Sequence, residues 1–466
     1  MQEPRISAAL SIWGNREAIP EMGTTFDLVL KGGTVVNHDG IGPRDVGVTG
    51  GRIAAIGDLA DAVAEQVLEL KGLHVLPGVI DTQVHFREPG PTHKEDLESG
   101  SRAAVMGGVT GVFEMPNTNP STTDVAALKD KLARARDRMW CDHAFYAGAS
   151  QDNVDDLAAL EQTPGCCGIK VFMGSSTGSL LVADDATLAR VLAGIRRRAA
   201  FHCEDEDRLE ARKDQRVSGD PSSHPVWRDE QTAYLATSRI LRLARAAGRA
   251  VHILHVTTGA EMELLAQNHD IASVEVTPQH LTLAAPNAYS ELGTFAQMNP
   301  PIRGEDDREA LWRALAAGIV DVVGSDHAPH SREEKAASYP ASPSGMPGVQ
   351  TLVPVMLDHV NRGRLSLERF VDLTSAGAQR LFGLAGKGRL AVGYDADFTI
   401  ADMKARRTLN EDWGESKCGW TPFRGHVLQG WPVGTIIRGR AVMWEGELQG
   451  SAHGRPIRFW NTLEKK

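Results

Sequence analysis

The chain has 466 residues, of which 42% are hydrophobic and 24% are charged, and its formal net charge at pH 7 is -10. These values are typical of a globular protein large enough for one barrel domain with an appended module. The acidic balance argues against binding to nucleic acids or anionic membranes, for which basic surfaces are expected, and favours a small-molecule substrate.

Cysteine usage and the lack of targeting patterns predict a cytoplasmic protein. The five cysteines form no Cys-x-x-Cys pair and have no regular spacing, which favours free thiols in a reducing compartment. No apolar run approaches the ~20 residues of a membrane span. The N-terminus does not combine a basic region with an apolar region as signal peptides do.

The first 25 residues mix proline, glycine, serine and charged residues without periodicity. They predict a disordered N-terminal tail, because such a stretch cannot bury enough apolar surface to fold. In an alternative interpretation, translation begins at Met22 rather than Met1, just before the recognisable pattern starts at Phe26.

Short apolar runs separated by glycine turns follow as far as about Leu73, and the same sequence pattern recurs near the C-terminus from Gly388. Each set is typical of antiparallel strands. We therefore predict a composite β-sandwich built from both ends of the chain, residues 26–75 and 386–450. It would flank a catalytic domain at residues 76–385 and precede a C-terminal tail at residues 451–466.

Between these ends, strand-like and helix-like segments alternate. In one predicted helix, Asp185 is the cap, and Leu188, Val191 and Leu192 are spaced as one apolar face. Eight strands are predicted, which is the count of an α/β protein with a (β/α)8 barrel, although a doubly wound open sheet also fits the periodicity. They are the stretch that leads to Val84 and residues 112–115, 143–146, 169–172, 200–202, 251–255, 274–276 and 320–323.

The positions of polar residues favour the barrel over the open sheet. Six polar side chains lie at or just after the carboxyl end of a different predicted strand. A barrel brings these strand ends to one face, where active sites form, whereas an open sheet would string them along a line. They are His85, Asn117, Lys170, His202, His255 and Asp326.

Four of these side chains suit a metal ion. Taken singly, a histidine or an aspartate at a strand end is more often a hydrogen-bonded structural residue. Together, the groups of His85, His202, His255 and Asp326 predict a site for one or two Zn²⁺ ions, with Mn²⁺, Co²⁺ or Fe²⁺ as alternatives. Asp326 would also be the general base that moves a proton from water to the leaving nitrogen.

Lys170 follows an apolar approach at the end of a predicted strand. Its ammonium group cannot bind a metal, and it would ordinarily pair with a carboxylate such as Asp326 or Glu204. Reaction of the uncharged amine with CO₂ would instead give a carbamate, an anionic group whose two oxygens can bridge two cations. Burial and nearby metal ions favour that reaction because they lower the pKa of the lysine.

Arg87, Asn117 and His330 are predicted to hold a substrate carboxylate, because a guanidinium group fits this bidentate anion. Asn299, in a proline-rich turn, would line the same pocket through its amide group. The alternatives are a structural ion pair of Arg87 with Glu88 or Asp96, a turn position for Asn117, and a purely structural proline-rich turn for Asn299.

Three runs in the chain, taken together, resemble those of the dihydroorotases within the amidohydrolase superfamily. They are residues 87–90 (Arg-Glu-Pro-Gly), 115–118 (Met-Pro-Asn-Thr) and 326–330 (Asp-His-Ala-Pro-His). The resemblance implies a metal-dependent barrel, a β-sandwich made from both termini, and reversible hydrolysis of dihydroorotate to N-carbamoyl-L-aspartate. It also implies two metal ions, usually zinc, which a carboxylated lysine at Lys170 or an aspartate bridges.

Gln83 departs from the pattern of these relatives, which have a histidine at this position. It leaves the same strand face as His85, but its amide oxygen is a weaker donor to Zn²⁺ than an imidazole. We therefore expect one tightly bound metal ion, held by Lys170, His202 and His255, and a second ion that is weakly bound or absent.

Two other functions fit the same residues. One is hydrolysis of another cyclic amide, namely a dihydropyrimidine, a hydantoin or allantoin. The other is an inactive dihydroorotase-like partner of aspartate transcarbamoylase, since such proteins lose metal ligands. The resemblance also implies a homo-oligomer, either a dimer or a tetramer, with aspartate transcarbamoylase as a candidate partner of the active enzyme.

Overall fold

A computed structural model of the chain describes residues 25–176 and 180–463. The predicted N-terminal tail and the alternative start at Met22 lie outside these residues, apart from Thr25, which opens the first strand. No helix within the described ranges is long and apolar enough to cross a membrane.

The first strands build two sheets beside the central domain. A four-stranded sheet has the order β5-β4-β1-β6, and its apolar side chains pack on those of the sheet that contains β2 and β7. The strands are β1 (Thr25–Lys31), β2 (Thr34–Asn37), β3 (Gly40–Pro43), β4 (Asp45–Thr49), β5 (Arg52–Gly57), β6 (Val63–Glu69) and β7 (His74–Pro77).

The central domain is a barrel of eight parallel strands, which neighbour one another in chain order. Its seam is closed where Val84 pairs with His327, just after the last strand, and the His85 amide donates to the His327 carbonyl at 2.7 Å. The predicted barrel is thus confirmed and the open sheet is excluded. The strands are β8 (Val79–Val84), β9 (Val109–Glu114), β10 (Asp142–Gly148), β11 (Cys166–Phe172), β12 (Ala199–His202), β13 (Val251–Ile253), β14 (Ala272–Val276) and β15 (Val322–Val323).

Helices alternate with these strands and cover the outside of the barrel, where their apolar faces join the main core. The predicted helix near residue 185 is present, but Asp184 rather than Asp185 caps it, because the Asp184 carboxylate accepts from the Thr187 amide. The helices are α1 (Leu97–Met106), α2 (Val125–Ala135), α3 (Leu157–Glu161), α4 (Asp185–Gly194), α5 (Glu206–Ala211), α6 (His224–Trp227), α7 (Glu230–Ala247), α8 (Gly259–Ala266), α9 (Pro278–Thr282), α10 (Asn287–Leu292), α11 (Glu305–Ala316), α12 (Arg332–Lys335), α13 (Leu352–Asn361), α14 (Leu367–Val371) and α15 (Gly377–Phe382).

The chain then returns to the sheets beside the barrel. The strands are β16 (Phe398–Thr408), β17 (Val427–Ile437), β18 (Arg440–Trp444) and β19 (Glu447–Leu448). β16 pairs with β7, so that a seven-stranded sheet of order β19-β18-β17-β16-β7-β2-β3 contains strands from both ends of the chain.

Residues 453–459, which we call the C-terminal segment, lie across the amino end of the barrel. The segment runs parallel to the start of β10, where the Ile457 amide donates to the His143 carbonyl at 2.8 Å. Ile457 and Phe459 are fully buried in a cluster that includes the barrel residue Phe113. Gly454 permits the approach, since a Cβ atom there would lie 1.9 Å from the Cys141 carbonyl oxygen. The segment therefore closes the hydrophobic core at the amino end of the barrel.

This packing predicts a large difference between two neighbouring aromatic residues. Phe459→Ala should lower the free energy of unfolding by about 3–5 kcal/mol, because it leaves a cavity beneath the barrel. Trp460, which is 61% exposed, is the matched control, and its replacement by alanine should cost less than about 0.5 kcal/mol. Denaturant titration measures both values, and equal losses would show that the segment does not seal the core.

Candidate active site

The carboxyl ends of the barrel strands surround a cleft with about 340 Å³ of empty volume. Eight of the residues predicted for the site line it, whereas Lys170 and His330 are buried behind its wall. The eight are Gln83, His85, Arg87, Asn117, His202, His255, Asn299 and Asp326. The barrel therefore gathers these residues onto one face, as the sequence predicts.

Closure of the barrel seam places the first strand against the residues that follow β15. Asp326 Oδ1 accepts a hydrogen bond from Gln83 Nε2 at 3.0 Å and lies 3.1 Å from His85 Nε2. On its other side, His85 Nδ1 lies 2.8 Å from the amide oxygen of Asn117, which can only accept. Nδ1 must then carry the ring proton.

The same hydrogen-bond pattern leaves an unmatched contact in the cleft. Burial lowers the pKa of His85, so the ring is neutral, and its Nε2 lone pair then faces a carboxylate oxygen. Two acceptors at 3.1 Å repel each other unless a proton or a metal cation lies between them. This pair therefore has the chemistry of two ligands that share a cation.

A second pair lies at the ends of β12 and β13. His202 Nδ1 and His255 Nε2 are 3.1 Å apart, so one cation beside the two rings could contact both nitrogens. The other nitrogen of His202 lies 2.8 Å from the Glu204 carboxylate and donates to it, which fixes the tautomer with Nδ1 as a base. His255 Nδ1 is buried and has no hydrogen-bond partner among the described residues.

Glu204 is held in turn by Arg228, a residue outside the predicted site. Arg228 Nε donates to Glu204 Oε1 at 3.0 Å, and Nη2 donates to Oε2 at 2.5 Å. Although burial raises the pKa of Glu204, Arg228 and His202 lower it well below its usual range, so the carboxylate stays ionised. The only sequence signal is the spacing of Glu204 two residues after His202, and nothing in the sequence indicates Arg228.

Lys170 is fully buried at the end of β11, and the expected ion pair with Asp326 or Glu204 is absent. Its ammonium nitrogen has no hydrogen-bond partner among the residues that the structure describes, and it lies 4.4 Å from the centre of the Phe172 ring. Burial lowers the pKa of Lys170 to about 7. A large fraction of this lysine is therefore an uncharged amine near neutral pH.

These donors fit a metal ion only in part. Within residues 25–176 and 180–463, no group of three or more His, Cys, Asp or Glu side chains is arranged to hold one. The cleft offers two pairs instead, His85 with Asp326 and His202 with His255. A four-coordinate site built on either pair needs further ligands, for which the unpartnered group of Lys170 and solvent are available.

Arg87 supplies positive charge to the wall of the cleft. Its side chain is buried, its Nε donates to the Pro329 carbonyl at 3.3 Å, and no described carboxylate lies within 4.0 Å of it. Burial lowers the pKa of Arg87 to about 10, which still leaves the group charged at neutral pH. The alternative of a structural ion pair for Arg87 is thus not observed.

His330 and Asn299 are both fixed by neighbours. Lys94 Nζ donates to His330 Nδ1 at 3.1 Å, so the proton of His330 lies on Nε2 and is donated to the Ser344 carbonyl at 3.0 Å. The amide oxygen of Asn299 accepts from His224 Nε2 at 3.0 Å, which leaves its NH₂ group directed to Ser176 beside the cleft. His224 is a second residue without any sequence signal.

Three residues around the cleft hold a strained backbone. Arg87, His255 and Asp326 have φ angles of 63°, 38° and 43°, in the left-handed region that non-glycine residues rarely adopt. Such strain costs roughly 1–3 kcal/mol per residue and persists where the surrounding structure imposes it, most often at functional sites. The position of these three strained residues around the cleft supports its assignment as the active site.

Comparisons with known proteins give one family. The model of a family described as the amidohydrolase family matches residues 74–442. A dihydroorotase from Halobacterium salinarum is 38% identical over 440 residues, which cover 93% of this chain and 99% of the relative. An allantoinase from Deinococcus radiodurans is 34% identical over 452 residues, with coverage of 93% and 99%.

Solved structures agree with the fold. The L-hydantoinase (dihydropyrimidinase) of Arthrobacter aurescens is 29% identical in sequence and matches with a TM-score of 0.88. The match covers 93% of this chain and 99% of the hydantoinase chain. A D-hydantoinase structure matches with a TM-score of 0.85 at 25% identity.

Proposed function

Because the chain belongs to the amidohydrolase family, we propose that it is a dihydroorotase, which reversibly hydrolyses the cyclic amide of dihydroorotate to N-carbamoyl-L-aspartate. Relatives from four archaea that are 34–38% identical and align over most of this chain carry the name dihydroorotase, which supports the proposal. The resemblance in the runs at residues 87–90, 115–118 and 326–330 points to the same activity.

The observation that carries the choice of substrate is the buried guanidinium group of Arg87. This group faces the cleft and forms no ion pair with a described carboxylate. An anionic group of the substrate would therefore supply its ion-pair partner. Dihydroorotate has a carboxylate on its ring, whereas allantoin, hydantoin and dihydrouracil have none. Asn117 and the NH₂ group of Asn299 would add donors on the same wall.

In the proposed metal site, the second pair of ligands binds the tighter ion. His202 and His255 would hold one ion, with Lys170 as a third ligand after its amine has reacted with CO₂. His85 and Asp326 would hold a second, weaker ion, because the amide of Gln83 already donates to Asp326. The nitrogen and oxygen donors suit Zn²⁺, and Mn²⁺, Co²⁺ or Fe²⁺ are alternatives.

Side chains of the protein would then transfer the proton and hold the substrate. When bound, the ion would polarise the amide carbonyl and acidify the attacking water. Asp326 would accept the proton from that water and return it to the leaving nitrogen. Arg87 would hold the carboxylate so that the ring amide faces Asp326, and the buried walls would exclude bulk water.

Two alternatives have specific support. Allantoinase relatives at 33–35% identity and the hydantoinase structures favour another cyclic amide as the substrate. Gln83 in place of a ligand favours an inactive partner of aspartate transcarbamoylase. We also infer a cytoplasmic homo-oligomer, a dimer or a tetramer, from the resemblance alone, and aspartate transcarbamoylase is a candidate partner of the active enzyme as well.

The substrate assignment predicts the effect of Arg87→Gln. It should lower kcat/KM for dihydroorotate by at least about 100-fold, because a buried charge pair with the substrate is lost. Parallel assays on dihydroorotate, dihydrouracil, hydantoin and allantoin should show activity only on dihydroorotate. Arg242→Gln, at an exposed ion pair with Asp185, is the control. Turnover of a neutral ring by the natural protein, without turnover of dihydroorotate, would favour the alternative substrate.

The role of Asp326 predicts a loss of chemistry without a loss of binding. Asp326→Asn should reduce kcat by about 10²–10⁴-fold, since the amide cannot accept the proton. The tightly bound metal should remain, because His202 and His255 are untouched. Steady-state kinetics and elemental analysis of one preparation measure both quantities, and undiminished kcat would contradict the assignment.

Gln83 predicts an unequal pair of metal ions. After gentle chelation the natural protein should keep one ion per chain, and Gln83→His should raise the content towards two, because an imidazole is a stronger ligand for Zn²⁺. Metal content is measured by elemental analysis. Two ions retained by the natural protein would show that Gln83 does not weaken the site.

A further inference from the structure

A second cleft, which we call the junction cleft, lies at the opposite end of the barrel from the active site. It is open to solvent and has about 700 Å³ of empty volume. Its walls come from the turn before β5, the start of β10, the loop before β16, the turn after β17 and the C-terminal segment. It therefore lies where the sheets beside the barrel meet the barrel's amino end.

Positive charge dominates this cleft, although the chain as a whole has a net charge of -10. Five cationic side chains line it, against two lining carboxylates, Asp142 and Asp395. A third carboxylate, Asp397, contacts Lys387 from behind. The cleft thus keeps an excess of two positive charges. The cationic residues are Arg52, Lys387, Arg438, Arg455 and Arg458.

Asp142 is committed to the inner cations Lys387 and Arg438. Asp142 contacts Lys387 Nζ at 2.6 Å and Arg438 Nη1 at 2.6 Å, and it also accepts from the Arg455 amide at 2.7 Å. Asp142 is therefore saturated and does not neutralise the outer arginines.

The outer guanidinium groups have fewer carboxylate partners than positive charges. Arg52 and Arg458 lie 3.4 and 3.6 Å from the single carboxylate of Asp395, and both side chains are about half exposed. The guanidinium group of Arg455 has no ion-pair partner within 4.0 Å in the described part of the chain. Arg438 Nε is buried without a hydrogen-bond partner among the described residues.

We propose that the junction cleft binds a small oxyanion that carries at least two negative charges, with Arg455 and Arg458 as its main ligands. Planar guanidinium groups suit the bidentate recognition of phosphate or carboxylate oxygens. Arg52, which opens β5, lines the same cleft, so the ligand would connect the C-terminal segment to the strands beside the barrel. Because it would bind only the folded chain, it would raise the melting temperature.

Calorimetric titration and thermal unfolding of the full chain test the proposal, with inorganic pyrophosphate, inorganic phosphate and citrate as probes. Sodium chloride at matched ionic strength is the reference. We expect saturable binding and a higher Tm with pyrophosphate, and the phosphate and citrate arms identify whether phosphoryl or carboxylate oxygens are preferred. A response no greater than that to sodium chloride for every probe would overturn the proposal.

Substitutions of Arg455 and Arg458 test whether the anion binds in the junction cleft. Arg455→Gln, which breaks no ion pair, and the double variant Arg455→Gln/Arg458→Gln should weaken binding by at least about 10-fold. The double variant Arg190→Gln/Arg242→Gln, at exposed ion pairs outside both clefts, removes the same charge and should bind as the natural protein does. Binding that is unchanged in the Arg455 variants, or that is abolished instead by Arg87→Gln, would place the anion elsewhere and overturn the proposal.

Discussion

The seam between the first and last barrel strands is the contact on which the candidate site depends. Val84 pairs with His327 across it, and the Asp81 carboxylate accepts from the Ser325 amide at 2.9 Å. Only because the cylinder closes here does Asp326 meet Gln83 and His85. In an open sheet the same residues would lie on opposite edges, although the strands themselves could be unchanged.

Around this seam the cleft combines neutral bases with one permanent cation. Burial lowers the pKa values of His85 and His255, so that each is a base with a lone pair, and it lowers the pKa of Lys170 to about 7, so that a large fraction of this lysine is an uncharged amine, whereas Arg87 remains charged. Lone pairs that face one another favour a cation between them, and the guanidinium group favours an anion beside it. The Glu204–Arg228 pair holds His202 in the tautomer that this arrangement needs.

Much of this was predictable because strands and their ends leave local signals. Apolar runs between helical stripes predicted all eight barrel strands, and a polar residue after such a run marked most of the cleft. The remaining features depend on contacts between distant segments. His224 orients Asn299 from a helix far along the chain, and Arg228 reaches Glu204 in the same way. Neither pairing has a periodicity or a spacing that a single sequence could reveal.

The C-terminal segment also determines when the barrel can become compact during synthesis. The strands β8 to β15 leave the ribosome long before Ile457 and Phe459, yet these two residues fill the base of the core that the strands surround. A nascent chain with all eight strands outside the ribosome would still expose apolar surface around Phe113. Final folding must therefore follow translation of the segment, and chaperones have an interval in which this surface is open to them.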